Sequence, residues 1–469
     1  MNILHGMIRV WKALQGYPLR PPAAPVLAGE AGDTVNTLEW DAVPGASSYK
    51  LYWSLASPVT KDDNVLNSVT SPFEHTGRTN GVTYYYAATA SSFRGESELS
   101  NEVGLTPVAA GPAAPELRAV LPGDTENVIG WNPVTGATAY DLYWSLTSPV
   151  SKSDNKIAGV TSPYVHTGRT NGVPYYYAVV ARNGDGESGL SGELSGTPTD
   201  NPEAFRGLVR TTDVSQNFDL TLAGTTVAIH VAWGDGTSND YNTAGSKSHT
   251  YAAANLYKVE VSGALTGAGS VIISAGAGRL EAVELIGGIT GIGSVNDMFA
   301  SANNAAFTRL PPSLFKNITI AGDLGFFETF IQCTKLTALP TDLFQYATGV
   351  TTRAFYSTFN GCTGLTSLPA DLFRYNTAIT TYAFSYTFQT CIGLTSLPAD
   401  LFRYNTAITA TAFSSTFAFC THLTSLPADL FRYNTAITTS AFNGTFIRCT
   451  GLTSLPTGLF QYNTARPTY

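Results

Sequence analysis

Charge is scarce in this chain: Asp, Glu, Lys and Arg make up 13% of the residues, and acids outnumber bases by 34 to 26. A net charge of −8 with no basic patch excludes nucleic acid as an expected partner, because nothing is there to neutralise phosphates. Long apolar runs are missing too. No segment approaches the roughly 18 consecutive apolar residues that cross a bilayer, so membrane insertion is not expected. Signatures of catalysis are also lacking: there is no G-x-S-x-G, no H-E-x-x-H, no P-loop and no C-x-x-C, and the six histidines are scattered. One G-x-G-x-x-G match, at Gly184, sits between two strand-like runs and carries Asp185 and Glu187, which would crowd a pyrophosphate. The expectation is a non-enzymatic protein without a cofactor.

What the chain does have is length, aromatics and repetition. Its 469 residues, 43% hydrophobic and 12% aromatic, are enough for several packed domains. Abundant Gly, Thr, Ser and Asn with little charge point to β-rich modules. The first 20 residues differ: Ile3, Met7, Ile8, Trp11 and Leu14 share one side of a helical wheel, ended by Pro18, Pro21 and Pro22. An amphipathic helix is expected over 1–20. It would either lie on its own first domain or dock the chain into a larger assembly through Ile3, Met7, Trp11 and Leu14. The segment lacks a continuous apolar stretch and a small-x-small site, so it does not read as a secretion signal.

Residues 21–108 and 112–198 are copies at a spacing of 91, as "YKLYWSLASPVTKDDN" against "YDLYWSLTSPVSKSDN" shows. Short aromatic and β-branched runs between turn clusters predict an all-β sandwich in each. Trp40 and Trp131, with Tyr84-Ala88-Ala90 and Tyr175-Val179-Ala181, resemble the fibronectin type III domain, which implies core tryptophans and, most often, a spacer role. Over 200–264, "WGDGT", "HTY" and an alternating Tyr257-Val259-Val261 resemble a PKD-like β-sandwich. There the Gly-Asp-Gly forms a tight turn. Asp235 and Asp240 are two candidate oxygen ligands for Ca²⁺, too few to make a site by themselves. His230 and His249 have no third ligand in metal spacing, so no metal is expected.

Within a last domain expected over 265–469 the chain repeats every 29 residues from Phe307, after a looser rung from about Leu280, and "LTSLPADLFRYNTAIT" recurs unchanged from Leu365, Leu394 and Leu423. Such a period predicts a solenoid whose units bury their apolar faces on each other. "LTSL" reads as a strand, "PADLFRYN" as a helical turn, and the variable tail as a second helix. That helix would turn Ala383, Phe384, Thr387, Phe388 and Cys391 inward. The three-residue spacing of Asp371 and Arg374, and of their copies, predicts weak ion pairs. Cys333, Cys362, Cys391, Cys420 and Cys449 share one position and are expected as free buried thiols, since helices would hold them about 10 Å apart, beyond disulfide reach. The pattern is an α/β leucine-rich-repeat architecture. Together with the third module it resembles the BspA-like leucine-rich-repeat surface proteins, adhesins of bacteria that also occur in phage structural proteins.

The resemblance implies a virion adhesin, such as a phage tail fibre or appendage, that binds a host cell-surface glycan or protein and docks other virion proteins through its N-terminus; whether it forms a homo-oligomer is left open by the sequence. A bacterial-surface adhesin and a passive spacer are the alternatives. Recognition is expected on the outward tail positions that differ between rungs: Arg353, Tyr356, Tyr382, Tyr386, Phe419, His422 and Arg448. Large amphipathic side chains among small polar ones are the composition of a paratope.

Overall fold

A computed structural model describes residues 20–275, 279–284, 286–300 and 308–463. The expected helix over 1–20 falls almost wholly outside them, and so do its four docking residues. Two compact units form. One is built on the first sandwich, and the other on most of the second sandwich, the third module and the rungs.

In the first unit, one sheet orders Ala28–Ala31, Val35–Glu39 and Phe73–Thr76, and a second carries Ser48–Ser54 and Tyr84–Ser92 at its centre. Inward residues of both sheets, among them Leu38, Leu51, Tyr86 and Ala88, close a dry core on which Trp40 packs. The second sandwich repeats the plan, with Glu126–Trp131 at the centre of one sheet and Ala139–Ser145 and Tyr175–Arg182 in the other. Its Trp131 is fully buried. The duplicated "HTGRTNG" has a structural use in each copy. His75 and His166 are buried with Nδ1 3.1 and 3.2 Å from the hydroxyls of Tyr86 and Tyr177. Arg78 and Arg169 lie over the Trp53 and Trp144 rings at 4.9 and 4.8 Å.

The third module is an eight-stranded arrangement built around the long strand Leu256–Ala275, and it takes in Leu280–Val283 and Ile289–Ile292. The second sandwich joins it through an apolar seam of Ala119, Leu121, Val128, Leu208, Leu256 and Ala282. Arg210 bridges the same seam, with Nε 2.5 Å from Glu281 and Nη2 3.2 Å from the Trp131 carbonyl. Lys316, in the first described rung, reaches Asp124 and Asp200 at 3.1 Å each. Core side chains then run without a break from the third module into the rungs.

The rungs depart from the expected α/β form, because no α-helix occurs among the described residues. The tail is a column of tight turns of period four, not a helix of period 3.6. Tyr382, Tyr386 and Thr390 hold positive φ of 55, 60 and 60°, and Arg353, Ser357, Thr411, Ser415 and Phe419 do the same in neighbouring rungs. Each such residue turns the chain so that amides alternate between two partners. Ser385, Thr387 and Gln389 bond back three residues, to the carbonyls of Tyr382, Phe384 and Tyr386. Tyr382, Phe384, Tyr386, Phe388 and Thr390 instead donate to Ala410, Ala412, Ser414, Thr416 and Ala418 of the next rung, at 2.8–3.0 Å. A helix would spend every amide within its own rung. Here half of them tie the rungs together. "LTSL" likewise carries no assigned strand.

Inside the stack the rings form three columns. Phe326, Phe355, Phe384, Phe413 and Phe442 repeat at 5.3–5.7 Å with planes within 10°. Rungs this close overturn the 10 Å premise for the cysteines. The five thiols are nonetheless free. The Sγ atoms of Cys362, Cys391, Cys420 and Cys449 point at the carbonyls of Phe330, Phe359, Phe388 and Phe417 at 3.0–3.2 Å. Burial pushes the Cys391, Cys420 and Cys449 thiols above their ordinary range, which keeps them protonated and inert.

Candidate recognition surface

Position within the four-residue turn decides which tail residues face outward. The buried pair of each turn is Ala383-Phe384 and then Thr387-Phe388, and the thiol follows at Cys391. Thr358, Thr387, Thr416 and Thr445 also face inward and donate Oγ1 to a phenylalanine carbonyl of the preceding rung at 2.7–2.8 Å. Variability alone does not mark the outside. Ser357, Ser385 and Ser414 differ in their surroundings between rungs yet are buried, and Ser385 Oγ donates to the Thr411 carbonyl at 2.7 Å.

Four of the proposed residues gather in one patch. Arg353 is exposed and lies over the Tyr382 ring at 5.2 Å. Tyr356 meets Tyr386 with ring centroids 5.2 Å apart and planes at 57°, and on its other side it stacks on Phe327 at 5.2 Å and 13°. Burial, with Tyr386 and Glu328 beside it, pushes the Tyr356 hydroxyl above its usual value, so it stays a neutral hydrogen-bond donor. Phe419 and Arg448 form a second pair, the guanidinium 5.6 Å over the ring. His422 is exposed and makes no ring stack or ion pair with the other six. The surface is thus a strip of half-exposed aromatics under cations, with the next-rung amide bonds fixing the spacing beneath it.

Two features escaped the sequence reading. Asn376, Asn405, Asn434 and Asn463 form a buried ladder, each Nδ2 donating to two carbonyls of the preceding rung; for Asn405 these are Phe373 at 3.1 Å and Asn376 at 2.9 Å. The signal was the Asn that ends every "FRYN", a polar residue fixed where only a buried role needs it. The second feature is a column of alternating Arg and Tyr. The expected Asp–Arg pairs there are loose, at 3.7 Å for Asp400–Arg403 and 3.8 Å for Asp429–Arg432. In the third module, Asp235 and Asp240 are engaged by histidine: His249 Nε2 and His230 Nδ1 each stand 2.7 Å from a carboxylate oxygen. Burial raises the Asp235 carboxyl, but bonds from Thr237 and His249 outweigh it and hold the group below its ordinary value. Among the described residues no three His, Cys, Asp or Glu side chains gather as a metal-binding set.

No family model matches the chain. A Kelch domain-containing protein of Saccharolobus solfataricus is 33% identical over 92 residues, covering 19% of this chain and 12% of that protein. The chain therefore spans only a small part of that relative. Among solved structures, the first three fibronectin domains of chicken CNTN1 align with 54% of this chain and 99% of theirs, at 16% identity and a TM-score of 0.20. A fibronectin type III-like protein of Clostridium thermocellum aligns with 19% of this chain and 96% of its own, at 31% identity and a TM-score of 0.16. The β-sandwich character of the first two modules rests on their strand orders and buried tryptophans, given above.

Proposed function

We propose that this chain is a non-enzymatic adhesin. Its sandwiches carry a stack of rungs that presents the patch of Arg353, Tyr356, Tyr382 and Tyr386, with Phe419 and Arg448 beyond it, to a glycan or protein on a host cell surface. We read the third module as PKD-like and the rungs as a solenoid of the BspA-like leucine-rich-repeat type in which turn columns stand in for helices. One observation carries the reading: four outward residues from two rungs come together as a half-exposed aromatic and cationic cluster on a rigid backbone ladder. Rigid aromatic anchors lose little entropy on binding, and a pre-ordered ladder leaves little more to lose. The seam that unites the second sandwich, the third module and the first rung suits a load-bearing arm better than a string of loose beads. The chain is placed on a virion, as a tail fibre or similar appendage. A bacterial envelope is the other setting that the same resemblance allows, and detection in purified particles or in the envelope fraction separates them. Fluorescently labelled full chain applied to a panel of bacterial cells tests adhesion: saturable binding to some strains, displaced by unlabelled chain, is expected. Uptake equal to that of an inert control protein on every strain contradicts it.

A further inference from the structure

We propose that the exposed arginine–tyrosine column binds a neutral, hydroxyl-rich linear polysaccharide laid along the stack, one sugar ring per rung. This is a second surface, separate from the variable patch. Arg374 lies between the rings of Tyr375 and Tyr404 at 5.6 Å from each. Arg403 lies between Tyr404 and Tyr433 at 5.7 and 5.5 Å, and Arg432 between Tyr433 and Tyr462 at 5.7 and 5.3 Å.

The core does not require these side chains. Tyr375, Tyr433 and Tyr462 are 38–41% exposed. Gln345 and Gln461 occupy the arginine position in other rungs, so the fold accepts glutamine there. The arginines stay exposed although they lie over the tyrosine rings, and among the described residues no hydrogen bond engages a phenol hydroxyl or guanidinium of the column. Asp400 and Asp429 stand beyond hydrogen-bond distance from their arginines and keep their acceptor oxygens free. Each of these rungs therefore offers both donors and acceptors to a ligand.

Charge decides the ligand class. Asp371, Asp400 and Asp429 match Arg374, Arg403 and Arg432 one for one, so the column has no net charge with which to draw a polyanion, and the chain as a whole is acidic. Vicinal hydroxyls, which donate and accept together, fit the mixed row. Spacing agrees: the buried phenylalanines one residue before each arginine repeat at 5.8–6.1 Å, close to the length one hexose adds to an extended chain. Each rung contributes weakly, and affinity accumulates with the number engaged.

Calorimetry of the full chain with linear β-glucan oligosaccharides of graded length, and with alginate as the polyanion, tests this. Affinity is expected to climb with glucan length and then level off once the column is spanned. The triple variant R374Q/R403Q/R432Q should lose about tenfold or more in affinity while its thermal unfolding stays unchanged. The proposal is overturned if no glucan binds, if alginate binds more tightly, or if the arginine variant binds unchanged.

Discussion

Asn405 carries more of the stack than its size suggests. Its amide closes two bonds to the preceding rung at a fully buried position. Asn405→Ala should therefore lower stability by about 2–4 kcal/mol, because two buried carbonyls lose their donor; chemical denaturation of the full chain measures it. His75 and His166 act at the same scale through pH. Burial, reinforced by Arg78 and Arg169, lowers each imidazole from 6.5 to about 4. A base with a lowered folded pKa contributes its stability above pH 6.5 and loses it as the pH falls toward 4, since only the unfolded ring takes up the proton there. Thermal unfolding followed from pH 7 to 4 should show this loss, and His75→Asn with His166→Asn should flatten it.

The turn column is the element that separates this chain from a helical repeat protein. Non-glycine residues at positive φ are strained, β-branched ones most of all. The ladder of next-rung amide bonds offsets that strain. Thr390 sits at φ 60° where the preceding rung has Gly361 at φ 76°. Thr390→Asn should raise stability by about 0.5–1 kcal/mol, because asparagine tolerates the left-handed region better, and a rise in unfolding temperature would report it. The repeat length, the inward Phe, Thr and Cys positions and the β-sandwich modules were all legible in the sequence. The helix was not there to be read. Inward residues at i, i+1, i+4, i+5 and i+8 fit a 3.6-residue period loosely and a four-residue period without drift, and over nine residues hydrophobicity alone hardly separates the two. Outwardness was partly legible: Arg353, Tyr356, Tyr382 and Tyr386 do meet, while the serines at 357, 385 and 414 are buried, Ser385 with its hydroxyl on the Thr411 carbonyl.

Across the second unit, two buried acids, Glu284 and Glu126, mark the joint of sandwich, third module and rungs. Glu284 is 2% exposed and, among the described residues, neither carboxylate oxygen has a hydrogen-bond partner. Nearby, Arg309 Nη2 is committed to both oxygens of Glu126 at 2.8 and 3.0 Å. Burial, then the Glu126 charge, pushes the Glu284 carboxyl well above its usual range, against the weaker pull of Arg309 and Arg206. An acid with a raised folded pKa stabilises the fold least when the unfolded chain is ionised, so this contribution is lost as the pH rises through the ordinary carboxylate range, opposite in sign to the histidines. Glu284→Leu should raise stability by about 1–3 kcal/mol in acid, the cost of an unsatisfied buried group, and by more at neutral pH, where the unfolded chain's carboxyl ionises and the buried one resists doing so. Unfolding curves at both pH values check the pair.

A fixed inside holds a variable outside on which recognition depends. Binding of labelled full chain to a strain that the wild type recognises, set beside the same measurement on Y356A/Y382A/Y386A, tests it most directly. Binding is expected to fall about tenfold or more with the unfolding temperature unchanged; undiminished binding by the correctly folded variant would rule out recognition by this face.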